Sequence, residues 1–414
     1  MSKQSSKNVI TIIAMMFLYA MIAFVTNLAA PVGKIWESMP EADGLGMLGN
    51  LFNFLAYLVM GIPAGYILSK YGYKKTALYA VVLGFIGITI QWLSGVTDSF
   101  WVYLAGAFIA GCCVCMLNTV VNPMLNLLGG YGKKGNQLNL IGGTINSLSG
   151  SLTPMLVGAI IGESLQGKEI DDINIVLYIA MAVFVVVFAI LFFTPIAEPT
   201  STSDTVVYER SPWAFRHLTL GVIAIFFYVG VEVGIPATLI EYLRDTPVGY
   251  DGATYIAGLY WLLMLIGRFC GSFVGAKVSS RTMVIWVSIV AIVLMTLAII
   301  LGDSAMVTMP TDWKFTLEQV PIAALLIMLC GLCTSVMWGS IFNMATEGLG
   351  KYTAKASGIF MMMVVGGGIL PLIQDVVADK NCLISYIVPI VAVAYILFYA
   401  VWGSKNVNKD IRVD

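Results

Sequence analysis

Asn118-Thr-Val-Val-Asn122-Pro-Met-Leu-Asn-Leu-Leu-Gly129 returns 221 residues later as Gly339-Ser-Ile-Phe-Asn343-Met-Ala-Thr-Glu-Gly-Leu-Gly350. Asn122 meets Asn343 and Gly129 meets Gly350. Working outward, Pro154 and Pro371 correspond at an offset of 217, and Phe17-Leu-Tyr19 and Phe227-Tyr228 at 209. Both copies of the pattern sit in apolar surroundings. A span needs about 20 apolar residues, and twelve stretches qualify: 8–32, 46–69, 76–95, 101–128, 136–162, 174–194, 217–243, 253–276, 282–301, 321–346, 354–378 and 384–403. The longest connection, 195–216, divides them six and six. It holds Pro195, Pro199, Pro212 and the polar run Thr200-Ser-Thr-Ser203. The expected organisation is a duplicated chain: an N-terminal six-helix half at 1–194, a linker at 195–216 and a C-terminal half at 217–414.

Composition supports a polytopic membrane protein. Of 414 residues, 59% are hydrophobic and 11% charged, with a mean hydropathy of +0.90; soluble chains carry about 25% charge. Backbone amides in lipid must pair internally, and no barrel-like alternation is present, so the spans are helices. The first apolar run is too long for a signal-peptide core and reads as a retained span. One histidine, His217, excludes imidazole metal clusters and histidine-based triads. No nucleophile–base pair lies at depth, which argues against an enzyme. No metal cofactor and no nucleic-acid partner are expected. The seven cysteines, Cys330-Gly-Leu-Cys333 included, read as small packing residues.

Sidedness follows from counting. With both ends cytoplasmic, inside segments hold 16 basic residues and outside segments 5, out of 22. That bias sets the orientation and predicts an inner (cytoplasmic) membrane protein with both termini inside.

Glu232 and Arg268 are the two charges left within the spans. A charge at mid-bilayer costs at least ~2.5 kcal/mol and stays only where protein or water solvates it. Glu232 lies among Gly230, Gly234 and Pro236, residues that weaken a helix and free carbonyls. The functional expectation is that it binds a polyol or carries H+ or Na+; the alternative is a residue that pins helix 7. Arg268 sits about one and a half turns from the cytoplasmic end of helix 8, where a long side chain can snorkel and cap. It reads as gating or structural. Asn118, Asn122 and Asn146 can donate and accept at once, which suits sugar hydroxyls; hydrogen bonding between helices is the alternative. Asn139 reads as structural. Among the mid-depth aromatics Tyr19, Tyr57, Tyr228, Trp261 and Trp338, those able to face a pyranose are Tyr228, Trp261 and above all Trp338, beside Gly339; packing is the alternative for each. Asn27 on helix 1 completes the substrate-binding candidates.

Gly65-Tyr-Ile-Leu-Ser69-Lys70-Tyr-Gly72-Tyr-Lys74-Lys75 resembles the loop signature of the major facilitator superfamily, G-x-x-x-D-R-x-G-R-[KR]. Ser69 and Lys70 replace its acid and arginine. Gly65, Gly72, Lys74 and Lys75 are its gating or structural candidates. Phe227-Tyr-Val-Gly-Val-Glu232-Val, Ile266-Gly-Arg268-Phe, Asn122-Pro123, Leu138-Asn139-Leu, Ser340-Ile-Phe342, Glu347-Gly-Leu-Gly350 and Gly366-Gly-Gly-Ile-Leu-Pro371 together resemble the fucose permease and glucose/galactose transporter family of sugar–cation symporters. The resemblance covers nearly the whole chain. It implies a twelve-helix, all-α major facilitator fold, two pseudo-symmetric halves and transport by alternating access. The implied substrate is a neutral monosaccharide or small oligosaccharide, and the implied direction is uptake. The chain departs from the family at two acids. Thr26-Asn27-Leu-Ala-Ala30 has Ala30 where a fucose permease has Asp. Asn118-Thr-Val-Val-Asn122-Pro123 has Asn118 where it has Glu. The residues leave three modes of coupling: H+ through Glu232, Na+ through Glu232 with carbonyls, or facilitated diffusion. A monomer in the lipid bilayer is expected. Competing readings are an exporter of drug-like amphiphiles, suggested by 22 methionines, an amphiphilic-lipid carrier, and a non-transporting sugar sensor.

Overall fold

The computed structural model describes residues 3–37, 42, 45, 48–161, 170–196, 198, 208–244, 246–408 and 410–413. The backbone at Lys3, Lys7, Ala30, Lys34 and Pro154 is helical, and their side chains lie outside the described set. Lys168, Pro199, the Thr200–Ser203 run, Lys409 and Asp414 lie outside it altogether.

The chain is a helical bundle. Before the linker come α1 (Lys3–Glu37), α2 (Leu48–Val96), α3 (Phe100–Leu128), α4 (Gly132–Ile161) and α5 (Asn174–Phe193). After it come α6 (Arg216–Arg244), α7 (Gly249–Gly275), α8 (Ser280–Leu301), α9 (Ile322–Thr334), α10 (Met337–Thr346), α11 (Thr353–Met362), α12 (Gly366–Ala378) and α13 (Ile387–Phe398). Among the described residues ten segments are long and apolar enough to cross a bilayer. One of them, α2, has 49 residues and is broken at Gly72, whose φ of 81° only glycine adopts without strain. At 1.5 Å per residue it is long enough to cross twice. Its two arms, together with the more polar 30-residue α4, bring the crossings to twelve. The chain is a multi-pass membrane protein.

One expectation about helix continuity reverses. Helix 7 was expected to weaken around Glu232, yet α6 runs unbroken through Gly230, Gly234 and Pro236. Its glycines serve packing: a Cβ at Gly234 would lie 2.6 Å from Gln374 Oε1, and one at Gly230 would strike Leu370 of α12. The interruptions fall instead in helices 10 and 11. The tenth breaks at Ser335–Val336, between α9 and α10. There the Thr334 hydroxyl bonds the carbonyls of Cys330 and Gly331 at 3.3 and 3.2 Å, and Ser335 bonds that of Leu332 at 2.6 Å. Such back-bonding competes with the helical ladder. The eleventh tightens into a 3₁₀ turn at Met363–Val365 before Gly366.

The bundle has two ends. The described residues of the linker, the loops at 129–132, 276–279 and 347–352, and residues 404–408 and 410–413 share one, here called the linker end. Residues 410–413 fold back on it: Lys351 N–H donates to Val413 O at 3.0 Å, and Ile411 is buried. The other end carries an antiparallel hairpin, β1 (Met306–Pro310) with β2 (Leu317–Pro321), between α8 and α9.

The halves meet closely toward the linker end. A Cβ on Gly61 would lie 2.6–2.7 Å from backbone atoms of Met362 and Gly358, and one on Gly65 3.0 Å from Gly358 Cα. Only glycine permits α2 and α11 to touch at this range. Across the other seam, a Cβ on Gly275 of α7 would lie 3.0 Å from Leu140 Cδ1 of α4.

Candidate functional site

Arg268 and Glu232, read from sequence as separate features, form one ion pair. Arg268 Nη2 donates to Glu232 Oε1 at 2.8 Å, with the side chains 10% and 15% exposed. The snorkelling orientation expected for Arg268 is not adopted. Its other nitrogen, Nη1, reaches across to α4, where it donates to Ser147 Oγ at 2.7 Å and to Gly143 O at 3.2 Å. One guanidinium thus joins α6, α7 and α4, spanning both halves. It bends inward because a buried guanidinium needs acceptors more than it needs the nearby helix end.

Helix chemistry places the pair. Pro236 has no N–H, so the Glu232 carbonyl, four residues earlier, loses its helical partner. The Tyr260 hydroxyl of α7 approaches that carbonyl at 3.5 Å and pairs with Thr334 Oγ1 at 3.0 Å, at the last turn before the break in helix 10. Met264 Sδ lies 3.7 Å from Arg268 Nη2. Tyr228, fully buried, lies within electrostatic reach of both Glu232 and Arg268. The site therefore contains a buried ion pair with the Tyr228 hydroxyl beside it.

A second cluster of amides faces this one. Asn118 Nδ2 donates to the Tyr57 hydroxyl at 2.9 Å. Asn122 is fully buried and its carboxamide is saturated. Its Nδ2 donates to Asn118 O at 2.8 Å, and its Oδ1 accepts from Tyr19 at 2.6 Å and from Trp338 Nε1 at 3.1 Å. Tyr19 also lies 3.1 Å from Asn139 Oδ1, and Asn139 Nδ2 donates to Asn126 Oδ1 at 2.6 Å. Asn146 and Asn27 are half-buried, and each donates to a carbonyl of α1: Tyr19 O at 3.0 Å and Ala23 O at 2.8 Å respectively. Trp338 is half-buried, with its ring 6.2 Å from that of Tyr228. Trp261 is 38% exposed, seven residues from Arg268 and hence on the same face of α7, with its ring edge-on to Tyr260 at 5.5 Å.

The structure brings Glu232, Arg268, Tyr228 and Trp338 into contact and ties Asn118 and Asn122 to them through the Trp338 indole. Asn146 is linked to the group through Tyr19. Asn27 lies about two helical turns along α1 from Tyr19, beside Gly150. Sequence reasoning passed over Tyr260, Thr334, Ser147 and Met264. The one signal for Ser147 was the repeat Asn139, Gly143, Ser147, small and polar residues every four positions on one face of α4.

Of the four loop candidates, Gly65 is an inter-half contact and Gly72 is the turn that breaks α2. Lys74 Nζ donates to Phe192 O and Thr194 O, both at 2.8 Å, fastening the second arm of α2 to the end of α5. Lys75 is exposed. The acid missing at Ser69 is supplied from the linker. Glu198 accepts from the backbone N–H groups of Tyr73 at 2.8 Å and Lys74 at 2.7 Å, a carboxylate on a helix N-terminus.

Among the described residues, hydrogen bonds between the halves run from this site toward the linker end. Ser340 donates to Asn136 Oδ1 at 3.3 Å, Asn126 Nδ2 to Thr346 Oγ1 at 3.3 Å, Asn343 Nδ2 to Gly132 O at 3.0 Å, and Ser357 to Thr119 O at 3.1 Å. No group of three or more His, Cys, Asp and Glu able to hold a metal occurs among them.

The family model of the Major Facilitator Superfamily matches residues 12–371. A glucose/galactose transporter of Brucella abortus is 30% identical over 373 residues, covering 87% of this chain and 85% of that protein. The L-fucose-proton symporter of Escherichia coli is 22% identical over 398 residues, with 87% and 85% covered. Among solved structures, a Major Facilitator Superfamily transporter, FucP, in the outward conformation superposes with a TM-score of 0.83 at 19% identity. It covers 97% of this chain and all of that one.

Proposed function

We propose that this chain, which belongs to the Major Facilitator Superfamily, takes up a neutral sugar across the cytoplasmic membrane by alternating access, coupled to protons. It is a transporter and not an enzyme. The observation that carries the reading is the mid-depth site itself. A carboxylate–guanidinium pair and the Tyr228 hydroxyl beside it stand on the C-terminal half. An Asn-rich network stands on the N-terminal half, and Trp338 lies between them. A polyol that hydrogen-bonds both sides would bias the two halves' relative orientation, because its affinity differs between the two states. The names of the relatives support a sugar, and a monosaccharide is the class we assign.

The 16:5 basic bias supports a cytoplasmic linker end and cytoplasmic termini. With that orientation, the contacts crowded toward the linker end correspond to a molecule shut toward the cytoplasm and open outward. Its similarity to an outward-conformation transporter agrees. The six-helix halves then extend over 1–194 and 217–414, joined by 195–216, and the chain acts as a monomer.

Roles follow from placement. Glu232 is the proton carrier. Tyr228, Trp338, Asn118 and Trp261 contact sugar; Asn146 and Asn27 line the entry on α4 and α1. Asn122 positions Trp338 and Asn118. Proton coupling is preferred to Na+ because the pair already supplies a cation beside the one carboxylate, and a second would be repelled. The test is counterflow in proteoliposomes across a panel of monosaccharides, with and without a pH gradient and with and without Na+. Exchange of at least one sugar, and accumulation that follows the pH gradient alone, is the expected result. Exchange of lipophilic cations but of no sugar would overturn the reading in favour of an amphiphile exporter.

A further inference from the structure

We propose that the notch between α6, α8 and the turn that follows α13, at the linker end, binds the phosphate of an anionic phospholipid. The site lies on the membrane-facing flank of the C-terminal half. It is independent of which substrate the chain carries.

Two guanidiniums converge on one turn. Residues Tyr399–Gly403, directly after α13, form a π-helical turn, closed by the Ser404 N–H on Tyr399 O at 2.8 Å. Turns of this width are rare and recur at functional sites. This one packs against both α6 and α8. From α6, Arg216 lays its guanidinium over the Trp402 ring, with Cζ 4.1 Å from the centroid, and Nη2 donates to Trp402 O at 3.3 Å. From α8, Arg281 Nε donates to Ser404 Oγ at 3.2 Å. The two acceptors are thus only two residues apart. Arg216 opens α6 and Arg281 is the second residue of α8, so both helix N-termini add positive potential. Exposed Lys405 follows the turn.

The partners hold these cations without neutralising them. A carbonyl, a hydroxyl and an indole face carry no net charge. Arg216 Nε has no hydrogen-bond partner among the described residues, and neither arginine forms an ion pair among them. The nearby pair, Arg210 with Asp410 at 4.0 Å, is exposed and involves neither. Glu347 and Arg281 both lie within electrostatic reach of the Tyr399 hydroxyl, so one acid faces three basic groups. Orientation in the membrane asks only that basic residues stay on the cytoplasmic side. It does not ask that two guanidiniums be pinned against an aromatic wall.

That wall suits a lipid. Phe398, Val401 and Trp402 lie three and four residues apart and are about half exposed, with Phe398 stacked on Trp402 at 5.4 Å. Trp213, just before α6, is exposed as well. Exposed tryptophans mark headgroup depth. A guanidinium matches phosphate oxygens with parallel N–H donors. Acyl chains can then follow the apolar strip from Trp402 up α13, which a free phosphate would leave uncovered. Basic pockets between transmembrane helices on the cytoplasmic side hold anionic headgroups in this way.

The test titrates the full-length protein in detergent with dioleoylphosphatidylglycerol or the zwitterionic dioleoylphosphatidylcholine, with binding read by native mass spectrometry. Each guanidinium near a headgroup is worth about fivefold in affinity. Wild type should therefore prefer phosphatidylglycerol by on the order of 25-fold. Arg216→Gln and Arg281→Gln should each lose about fivefold, and the double variant should bind both lipids nearly alike. Equal affinities in wild type would overturn the proposal, as would wild-type preference in the double variant. Displacement of phosphatidylglycerol by inorganic phosphate would overturn the lipid in favour of a free anion. A second measurement needs no variant. Adding phosphatidylglycerol to phosphatidylcholine nanodiscs should slow backbone hydrogen exchange over residues 213–220 and 399–408 and leave the hairpin at 306–321 unchanged. Uniform or absent protection would overturn the site even if the variants fail to fold.

Discussion

Trp338 Nε1 donates to Asn122 Oδ1 at 3.1 Å, tying the first turn of α10 to the polar face of α3 in the opposite half. Both residues carry the marks of sugar ligands, yet in this conformation each satisfies the other. Asn122 has no capacity left for a hydroxyl. Trp338 retains its ring face, pinned in place by the bond its indole makes.

That relationship predicts a separation of effects. Trp338→Phe keeps an aromatic face and deletes one cross-half hydrogen bond, worth about 0.5–1.5 kcal/mol. Sugar affinity should fall less than tenfold, with the conformational equilibrium shifted toward inward opening. Trp338→Ala should cost far more affinity. Equal loss in both variants, by isothermal titration, would show that the N–H and not the ring recognises sugar.

Asn118 sits at the other edge of the network, bonded to the Tyr57 hydroxyl at 2.9 Å. Asn118→Ala should weaken sugar binding by roughly 1–3 kcal/mol, the cost of leaving buried partners unsatisfied. Its effect on thermal stability should be smaller. Wild-type affinity in the purified variant would move the N-terminal subsite elsewhere.

Glu232→Gln mimics the protonated acid and cannot release a proton. It should abolish gradient-driven accumulation while exchange of sugar continues at a measurable rate. It also strands Arg268, so thermal stability should drop by roughly 3–5 kcal/mol. Adding Arg268→Met to it should restore part of that loss, a coupling that a double-mutant cycle reads directly. Undiminished accumulation would remove Glu232 from coupling.

The glycine seam between α2 and α11 gives a steric prediction. A Cβ at Gly65 would lie 3.0 Å from Gly358 Cα and 3.1 Å from the carbonyls of Ala354 and Lys355, backbone atoms that cannot rotate away. Gly65→Val should hold the linker end apart, at a cost of about 1–3 kcal/mol to the closed form. Transport should fail while the protein still reaches the membrane. Normal counterflow would show that the seam need not close.

Topology is the simplest expectation. A protease-sensitive tag after Asp414 should be cut only from the cytoplasmic side, and one inserted at Asp312–Thr316 of the hairpin only from outside. The hairpin tip also has a pH signature. Hydrogen bonds from the Thr316 N–H and hydroxyl hold the Asp312 carboxyl below its ordinary value of 3.8. A depressed acid stabilises its turn above that ordinary value and loses the contribution as pH falls through the folded one. Exchange at Lys314 and Thr316 should therefore rise in strong acid, and Asp312→Asn should remove that dependence.

The twelve-helix, membrane-spanning fold was legible in the sequence, because lipid imposes it locally, and the same reading gives the expected division at 195–216 and the expected orientation. Each span must be apolar and about 20 residues long, and each basic loop obeys the same field. The buried charges were legible for the same reason: Glu232 and Arg268 stand out where every neighbour is apolar. Their partnership was not. They are 36 residues apart on different helices, and no period of a single helix relates them. Nor does any local rule say that Arg268 turns toward Ser147 and away from the near helix end. The glycines around Glu232 could signal a weak helix or a tight one, and only the approach of Leu370 and Gln374 decided for packing. The breaks in helices 10 and 11 carry no proline at the break. The break in helix 10 goes with hydroxyls, on Thr334 and Ser335, that bond their own backbone. Sequence alone determined which residues must leave lipid; the packing of one half against the other decided what each of them meets there, because burial selects residues by type while pairing selects them by position.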